Sequence, residues 1–394
     1  MPADRSSEVN IVFLNQNYLV QRETVSALRR LPDARVTAID ITPHPTEPQA
    51  RRAASIIERL DSRAVVSINE WGLDTTGLLH DFFMRKNIVQ INWSVDDPFY
   101  EEIMQTPKYR HSPVRFDFTS DKGYVEPMRE RGYNARFLPL AVDPAIFSPG
   151  RMGEEGHRDD EIVFVGNSYL KQMDGFIKAV PELIDALSPF LGEVIERYLQ
   201  SVDYDVESAL SRRMASLKLP AGVPFEKALF IAKHAAGYFA RRGTVLSLVK
   251  RYPGFKVYGE PGWLKDLPQD RLGTARYYDS LCDVYRRAKI VVDINRIVIR
   301  NGFTQRVFDA AACGQLCITN SKPVVHEFFA TSGPRQEMVT FGSRDELFSQ
   351  IDYYLAHDDE RCAIAKRGRD AVLARHTYDH RITEMFGAIS GEMK

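Results

Sequence analysis

The sequence predicts an α/β chain of two Rossmann-like domains, each built on a parallel sheet. Three observations carry this. Short apolar runs alternate with amphipathic helical periods through the first half, the alternation restarts near residue 161, and a Gly- and charge-rich segment, SPGRMGEEGHRDD (148–160), stands between the two series. Strands separated by helices need crossover connections, which makes neighbouring strands parallel. A length of 394 residues suits two domains better than one. The expected limits are 1–157 for the first domain and 158–375 for the second. The terminal helix, 376–394, is expected to pack back on the first domain.

The elements follow in order. VNIVFL (9–14) reads as a buried strand, and Val25, Leu28 and Leu31 mark the helix of 20–31. RVTAIDI (35–41) is a strand. Ala53, Ile56, Ile57 and Leu60 fall at i, i+3, i+4, i+7 of a helix. RAVVSI (63–68) is a third strand, Leu78, Leu79, Phe82 and Phe83 mark a helix, and NIVQINWSV (87–95) is a fourth strand. Arg115–Thr119 and Arg136–Leu140 complete the first series. In the second, EIVFV (161–165) ends at Gly166-Asn167-Ser168. A largely helical insertion of about 170–250 follows. KVYGE (256–260), KIVVDIN (289–295) and QLCITN (315–320) are strands, and helices are expected over 277–287, 305–313, around Leu347–Leu355 and from about 359 to the end. A doubly wound sheet receives ligands beyond the carboxyl ends of its strands. Asn15-Gln16, Asn69-Glu70-Trp71 and Asp96-Asp97-Pro98 are such strand ends.

Composition excludes several classes. Hydrophobic residues are 44% and charged residues 27%, a globular balance. Lys+Arg number 52 against Asp+Glu 53, a net charge of −1, so no basic excess exists to neutralise a nucleic-acid backbone. No apolar run reaches the length of a membrane span, and the polar start MPADRSSEVN lacks the apolar core of a signal peptide. The four cysteines, Cys282, Cys313, Cys317 and Cys362, form neither a zinc pattern nor a disulfide framework. The expected location is the cytoplasm.

The chemistry concentrates in NGFTQRVFDAAACGQLCITN (301–320). Asn301-Gly302 is a loop able to close on a ligand. The following helix start offers free amides and positive dipole to an anion. Arg300 and Arg306 flank it, and a guanidinium can clamp phosphate oxygens in two places. Asp309 is a carboxylate that can accept two ribose hydroxyls. Cys313-Gly314 ends the helix.

Here the chain resembles the CgeB-like, spore-maturation-type glycosyltransferases, a branch of the GT-B fold. The resemblance runs through Asp96-Asp97-Pro98, LPLAVDPAIFSP (138–149), FVGN (164–167), VYG (257–259), YDSLCDVYRRAKIVVDIN (278–295), QRVFDAAACG (305–314), ELFSQIDYYLAHDDER (346–361) and HTYDHR (376–381). It implies a GT-B architecture, two Rossmann-like domains facing a cleft, with the nucleotide-sugar in the second and the acceptor in the first. Related retaining enzymes carry a Glu-x7-Glu pattern here; its first position falls on Asn301 and its second on Asp309. The second position holds ribose in those enzymes, a role Asp309 can fill. Asn301 departs from the pattern and can only hydrogen-bond, which leaves the donor sugar and the stereochemical outcome open.

The donor site expected from the resemblance and the residues together is Gly166, Asn167, Arg300, Asn301, Gly302, Arg306 and Asp309. The base candidates are Asp97, Asp96 and, behind them, Glu70, carboxylates able to take a proton from an acceptor hydroxyl. No resident cofactor and no metal are expected: the nucleotide-sugar, a UDP- or other NDP-sugar, is a co-substrate, and the lone Asp-x-Asp, Asp203-Tyr204-Asp205, lies in the insertion. The acceptor is a protein, a glycan or a small molecule. Arg241-Arg242 and the aromatics of the insertion are candidates for recognising it. The alternatives are an inactive GT-B-fold scaffold, which the neutral Asn301 favours, and a nucleotide-sugar hydrolase or epimerase.

Overall fold

The computed structural model describes residues 8–100, 112–150 and 160–390. It divides into two compact units. One comprises 1–143, 300–303 and 375–394, the other 144–299 and 304–374.

The first unit holds β1 (Val9–Asn15), β2 (Ala34–Asp40), β3 (Ala64–Ile68), β4 (Val89–Ser94), β5 (Arg115–Thr119) and β6 (Ala135–Phe137), with α1 (Gln21–Leu28), α2 (Glu47–Arg59), α3 (Leu78–Lys86) and α4 (Val125–Glu130) between them. The strands are all parallel, in the order β2-β1-β3-β4-β5-β6. Every residue of β3, β4 and β5 is buried, as central strands covered on both faces require. Thr46 and Gln49 form a capping box at the start of α2, a helix whose Ala53 and Ile57 enter the core. The order reverses between β1 and β3, so Asn15-Gln16 and Asn69-Glu70-Trp71 flank the reversal point and Asp96-Asp97-Pro98, after β4, lies one strand further along.

The second unit holds β7 (Asp160–Val165), β8 (Phe255–Tyr258), β9 (Leu272–Gly273), β10 (Ala288–Val292), β11 (Leu316–Asn320) and β12 (Val339–Phe341). The order is β9-β8-β7-β10-β11-β12, again all parallel, with the reversal between β7 and β10. Four insertion helices separate β7 from β8: α5 (Leu170–Ala179), α6 (Pro181–Gln200), α7 (Val206–Arg213) and the long α8 (Phe225–Arg251). Burial runs around much of α8, including Ala228, Ile231, Ala232, Ala235, Ala236 and Arg241, so this helix is the spine of the insertion. Then come α9 (Leu281–Arg287), α10 (Gln305–Ala312), α11 (Pro323–Phe328), α12 (Arg344–Ala356) and α13 (Asp358–Arg375).

The last helix, α14 (Tyr378–Ile389), belongs to the first unit. Arg381 Nε donates to the Pro139 and Leu140 carbonyls at 2.9 and 3.3 Å, and Arg30 pairs with Asp379 at 2.7 Å. His376 makes the bend by giving its carbonyl to the Val142 amide at 3.0 Å, while Thr377 and His380 cap α14. The chain changes unit after Asp143; the limit at 157/158 read from the sequence falls outside the described residues. The helix expected over 277–287 starts only at Leu281, because the Ser280 hydroxyl accepts from the Arg276 amide at 3.0 Å and folds the preceding residues into a turn.

Candidate functional site

In the second unit the carboxyl ends of β7, β10 and β11 meet at the reversal point. Asp293, the residue after β10, is fully buried. It accepts hydrogen bonds from Thr304 Oγ1 at 2.8 Å, Thr319 Oγ1 at 2.8 Å and Arg306 Nε at 2.7 Å. Burial disfavours the Arg306 charge, but the adjacent Asp293 carboxylate outweighs it and holds the guanidinium more firmly protonated than usual. Arg306 thus starts α10 as a cation fixed by a buried carboxylate.

Two further arginines share this place. Arg306 Cζ lies 5.8 Å from the centroid of the Phe164 ring, and Arg241 Cζ, from α8, lies 5.0 Å from the same centroid. Arg241 is also 5.5 Å from the Tyr169 ring, which Arg296 covers at 4.3 Å. Burial, then Arg306 and Arg296, push the Arg241 guanidinium down to about 10, still cationic at neutral pH. Gly166 makes the approach possible: a Cβ there would stand 2.9 Å from the Phe164 ring and 3.1 Å from Arg241 Nη2. Its carbonyl accepts from Trp263 Nε1 at 2.8 Å, and Asn167 beside it is exposed. Tyr169 follows with φ of +59°, an uncommon conformation for a non-glycine residue. Next to the arginines, Tyr169, Gln172, Phe176, His234, Tyr238 and Arg296 line a small hollow of about 10 Å3, room for about one water molecule.

Asp309 sits one turn into α10, 1% exposed, with Oδ1 accepting from Gln305 Nε2 at 2.8 Å. Its charge, after burial, helps push the buried Tyr285 hydroxyl well up. At the far end of the helix Cys313 Sγ lies 3.6 Å from Cys282 Sγ, and this contact pulls the Cys282 thiol down to about 6.

Arg300, Asn301 and Gly302 belong to the first unit, and Arg306 and Asp309 to the second. The loop expected to close on a ligand already holds an anion of the chain itself. Arg300 N and Asn301 N donate to the two oxygens of Asp121 at 2.7 and 2.8 Å, and Gly302 pairs in an antiparallel bridge with Asp121. The Arg300 guanidinium lies 4.8 Å from the Tyr124 ring centroid. The sequence reading missed Asp121 because two of its three amide partners, those of Arg300 and Asn301, lie about 180 residues further along the chain.

The base candidates gather at the carboxyl ends of β3 and β4. Asn69 and Glu70 have φ of +53° and +58°, two successive left-handed residues. The Glu70 carboxylate is ion-paired to Arg115, which also binds Asp117 at 2.7 Å; Arg115 and Asp117 are buried, and burial pushes Asp117 upward. Glu70 is therefore engaged by a buried guanidinium. Asp96 is exposed and accepts from Asn69 Nδ2 at 2.8 Å. Asp97 accepts from the Phe99 amide and the Tyr124 hydroxyl, both at 2.9 Å. Across the same end, Tyr18 meets Trp71 edge-on with centroids 4.7 Å apart.

Among the described residues no group of His, Cys, Asp and Glu is placed to hold a metal ion, and no helix is long and apolar enough to cross a membrane. Asp203 pairs with Lys322 at 3.2 Å and Asp205 caps α7.

Residues 241–387 match the family model described as Glycosyl transferase-like. No curated protein matches the chain. Among solved structures, Anabaena HepE in complex with UDP-glucose is 10% identical and superimposes with a TM-score of 0.56, covering 98% of this chain and 100% of that one. A glycosyltransferase from Rickettsia africae is 12% identical, with a TM-score of 0.51 over 98% of this chain and 99% of its own. The chain has the GT-B fold: two Rossmann-like parallel-sheet units, the second carrying a helical insertion.

Proposed function

We propose that the protein is a glycosyltransferase of the CgeB-like branch that moves a sugar from a nucleotide-sugar to an acceptor. The observation that carries this reading is the match of 241–387 to the Glycosyl transferase-like model, since that stretch includes Asp293, Arg306 and Asp309 at the reversal point of a doubly wound sheet. HepE holds UDP-glucose, and a UDP-sugar is accordingly the first donor to test. Arg306 and the amino end of α10 supply fixed positive charge for a leaving diphosphate, which is catalysis by preorganised electrostatics. Asp309, which also accepts from Gln305, holds the ribose in this reading. On the first unit, Asp97 or Asp96 takes the proton of the acceptor hydroxyl; Glu70 is the weaker choice because Arg115 engages it. No metal takes part.

A thermal-shift screen over nucleotide-sugars tests it. A ligand at 100 times its Kd adds about 2.7 kcal/mol of stability. The expected result is a raised Tm with one nucleoside diphosphate and its sugar esters, followed by sugar transfer to a glycan, protein or small-molecule acceptor. The absence of any shift across UDP-, GDP-, ADP- and dTDP-sugars refutes the proposal. Binding without turnover favours a scaffold, the reading to which the neutral Asn301 in place of an acid gives weight, and free sugar released without acceptor favours a hydrolase.

A further inference from the structure

We infer that the helical insertion forms part of the donor site, with Arg241 of α8 joining Arg296 and Arg306 in a clamp for the diphosphate of a nucleotide-sugar. The inference rests on the nucleotide-sugar reading above and adds to it the residues and the element that grip the phosphates.

Three observations converge. The first is uncompensated charge. Arg241 and Arg296 make no ion pair among the described residues, and Asp293 is shared among Arg306, Thr304 and Thr319. Of the three guanidiniums only that of Arg306 has a carboxylate partner. The second is burial. Arg241 is 4% exposed, and its Nε has no hydrogen-bond partner. Burying an arginine without a partner is costly, and a ring face offers much less than water or a carboxylate does. Setting it beside two more arginines adds repulsion. Such an arrangement raises the free energy of the empty protein and falls into place when a doubly charged anion arrives. The third is position. Phe164 and Gly166 put the Arg241 guanidinium at the end of β7, and Asp293 puts that of Arg306 at the end of β10, so the cations flank the reversal point where such sheets bind phosphates. A cluster meant only to brace the insertion has no reason to be there, nor to leave its charge unmatched.

Tyr169 lies against both Arg241 and Arg296, so the clamp carries an aromatic face beside two of its cations. The insertion, from which the sequence alone suggested acceptor recognition, then serves the donor.

The test is calorimetric titration of the full chain with UDP, ADP, GDP and dTDP, with the matching nucleosides and with inorganic pyrophosphate. Arg241→Met keeps the stem and removes the charge, and Arg296→Gln is the second variant. Each is expected to weaken the nucleoside diphosphate and pyrophosphate by about 10- to 100-fold, the weight of a charge-assisted contact, while leaving the nucleoside unchanged. The unliganded Arg241→Met protein is expected to melt no lower than wild type, because a repelled buried charge has gone. An arginine with a merely structural role gives the opposite pair of results, a lower Tm and undiminished affinity, and that pair overturns the inference. Failure of the wild type to bind any of the diphosphates overturns the nucleotide-sugar reading, and the clamp with it. Tight binding by wild type and both variants alike overturns the clamp alone.

Discussion

Asp121 offers the sharpest test of how the chain holds its short return, 300–303, on the first unit. Its carboxylate, 7% exposed, accepts three backbone amides: Arg300 at 2.7 Å, Asn301 at 2.8 Å and Gly123 at 2.9 Å. A hydrogen bond to a charged group contributes about 1.5–3 kcal/mol. Against this stands the cost of burying the carboxylate, the dominant influence on Asp121 and the one that pushes its pKa up in spite of the three donors. Asp121→Ala removes both contributions and leaves two amides of the return without their acceptor, for a net loss of about 3 kcal/mol in local opening. At tenfold per 1.4 kcal/mol, the Arg300 and Asn301 amides should exchange roughly 100-fold faster. Asp121→Asn keeps one acceptor oxygen and should fall between, at about tenfold. Hydrogen-exchange mass spectrometry on peptides spanning 297–303 reads the effect directly. Unchanged protection there in a folded Asp121→Ala protein would refute the reasoning and leave the Lys122 amide to Asn301 carbonyl bond, 3.0 Å, as the real clip.

Three more predictions concern other parts of the molecule. Burial, with Arg296 adding to it, depresses His234 to about 3 from 6.5, so the unfolded chain binds the extra proton first; stability is full above pH 6.5 and is lost as pH falls toward 3, by about 2 kcal/mol at pH 5. His234→Leu should remove that share of the acid sensitivity in urea melts compared at pH 7 and pH 5, and an identical pH dependence in the two proteins argues against it. Asp97→Asn should lower kcat by about 100- to 10,000-fold with donor affinity kept, if Asp97 is the base; a lower Tm with kcat within a few-fold means that it only holds the Tyr124 hydroxyl and the Phe99 amide. Transfer should continue in EDTA, and loss of turnover restored by Mn2+ counts against metal-independent catalysis.

The fold was legible because its signals are local. Several strands are apolar runs such as IVFL or AVVSI, and helices such as 47–59 repeat their apolar residues at helical spacing, so the parallel sheets follow from alternation. What escaped was short. β9 has two residues and β12 three, too few for a period, and α11 is a single turn and a half opened by Pro323. The return of 300–303 to the first unit was equally hidden, since the segment reads as a simple continuation into α10 while its amides answer to Asp121 far upstream. No pattern on a line of residues reveals a contact of that separation.

The site was legible where its parts adjoin in sequence and opaque where they do not. Arg306 and Asp309 stand out because a loop, a cation and a carboxylate precede or enter one helix. Arg241 stands out in sequence only as half of the Arg241-Arg242 pair on a long helix rich in Ala and aromatics, which pointed to the acceptor rather than to phosphate. Its distinction arises only when α8 brings it against Phe164, where the missing Cβ of Gly166 leaves room and two other arginines already stand. The same logic separates the glycine from its neighbour: Gly166 is required by a close approach, whereas Asn167 is exposed and its contribution, if it has one, must come through ligand. Destabilising charge gathered at the end of a sheet is a stronger sign of a ligand than any of the short motifs, because folding alone would select against it. The linear reading weighed each arginine by its immediate neighbours and so could not see that the cost is collective.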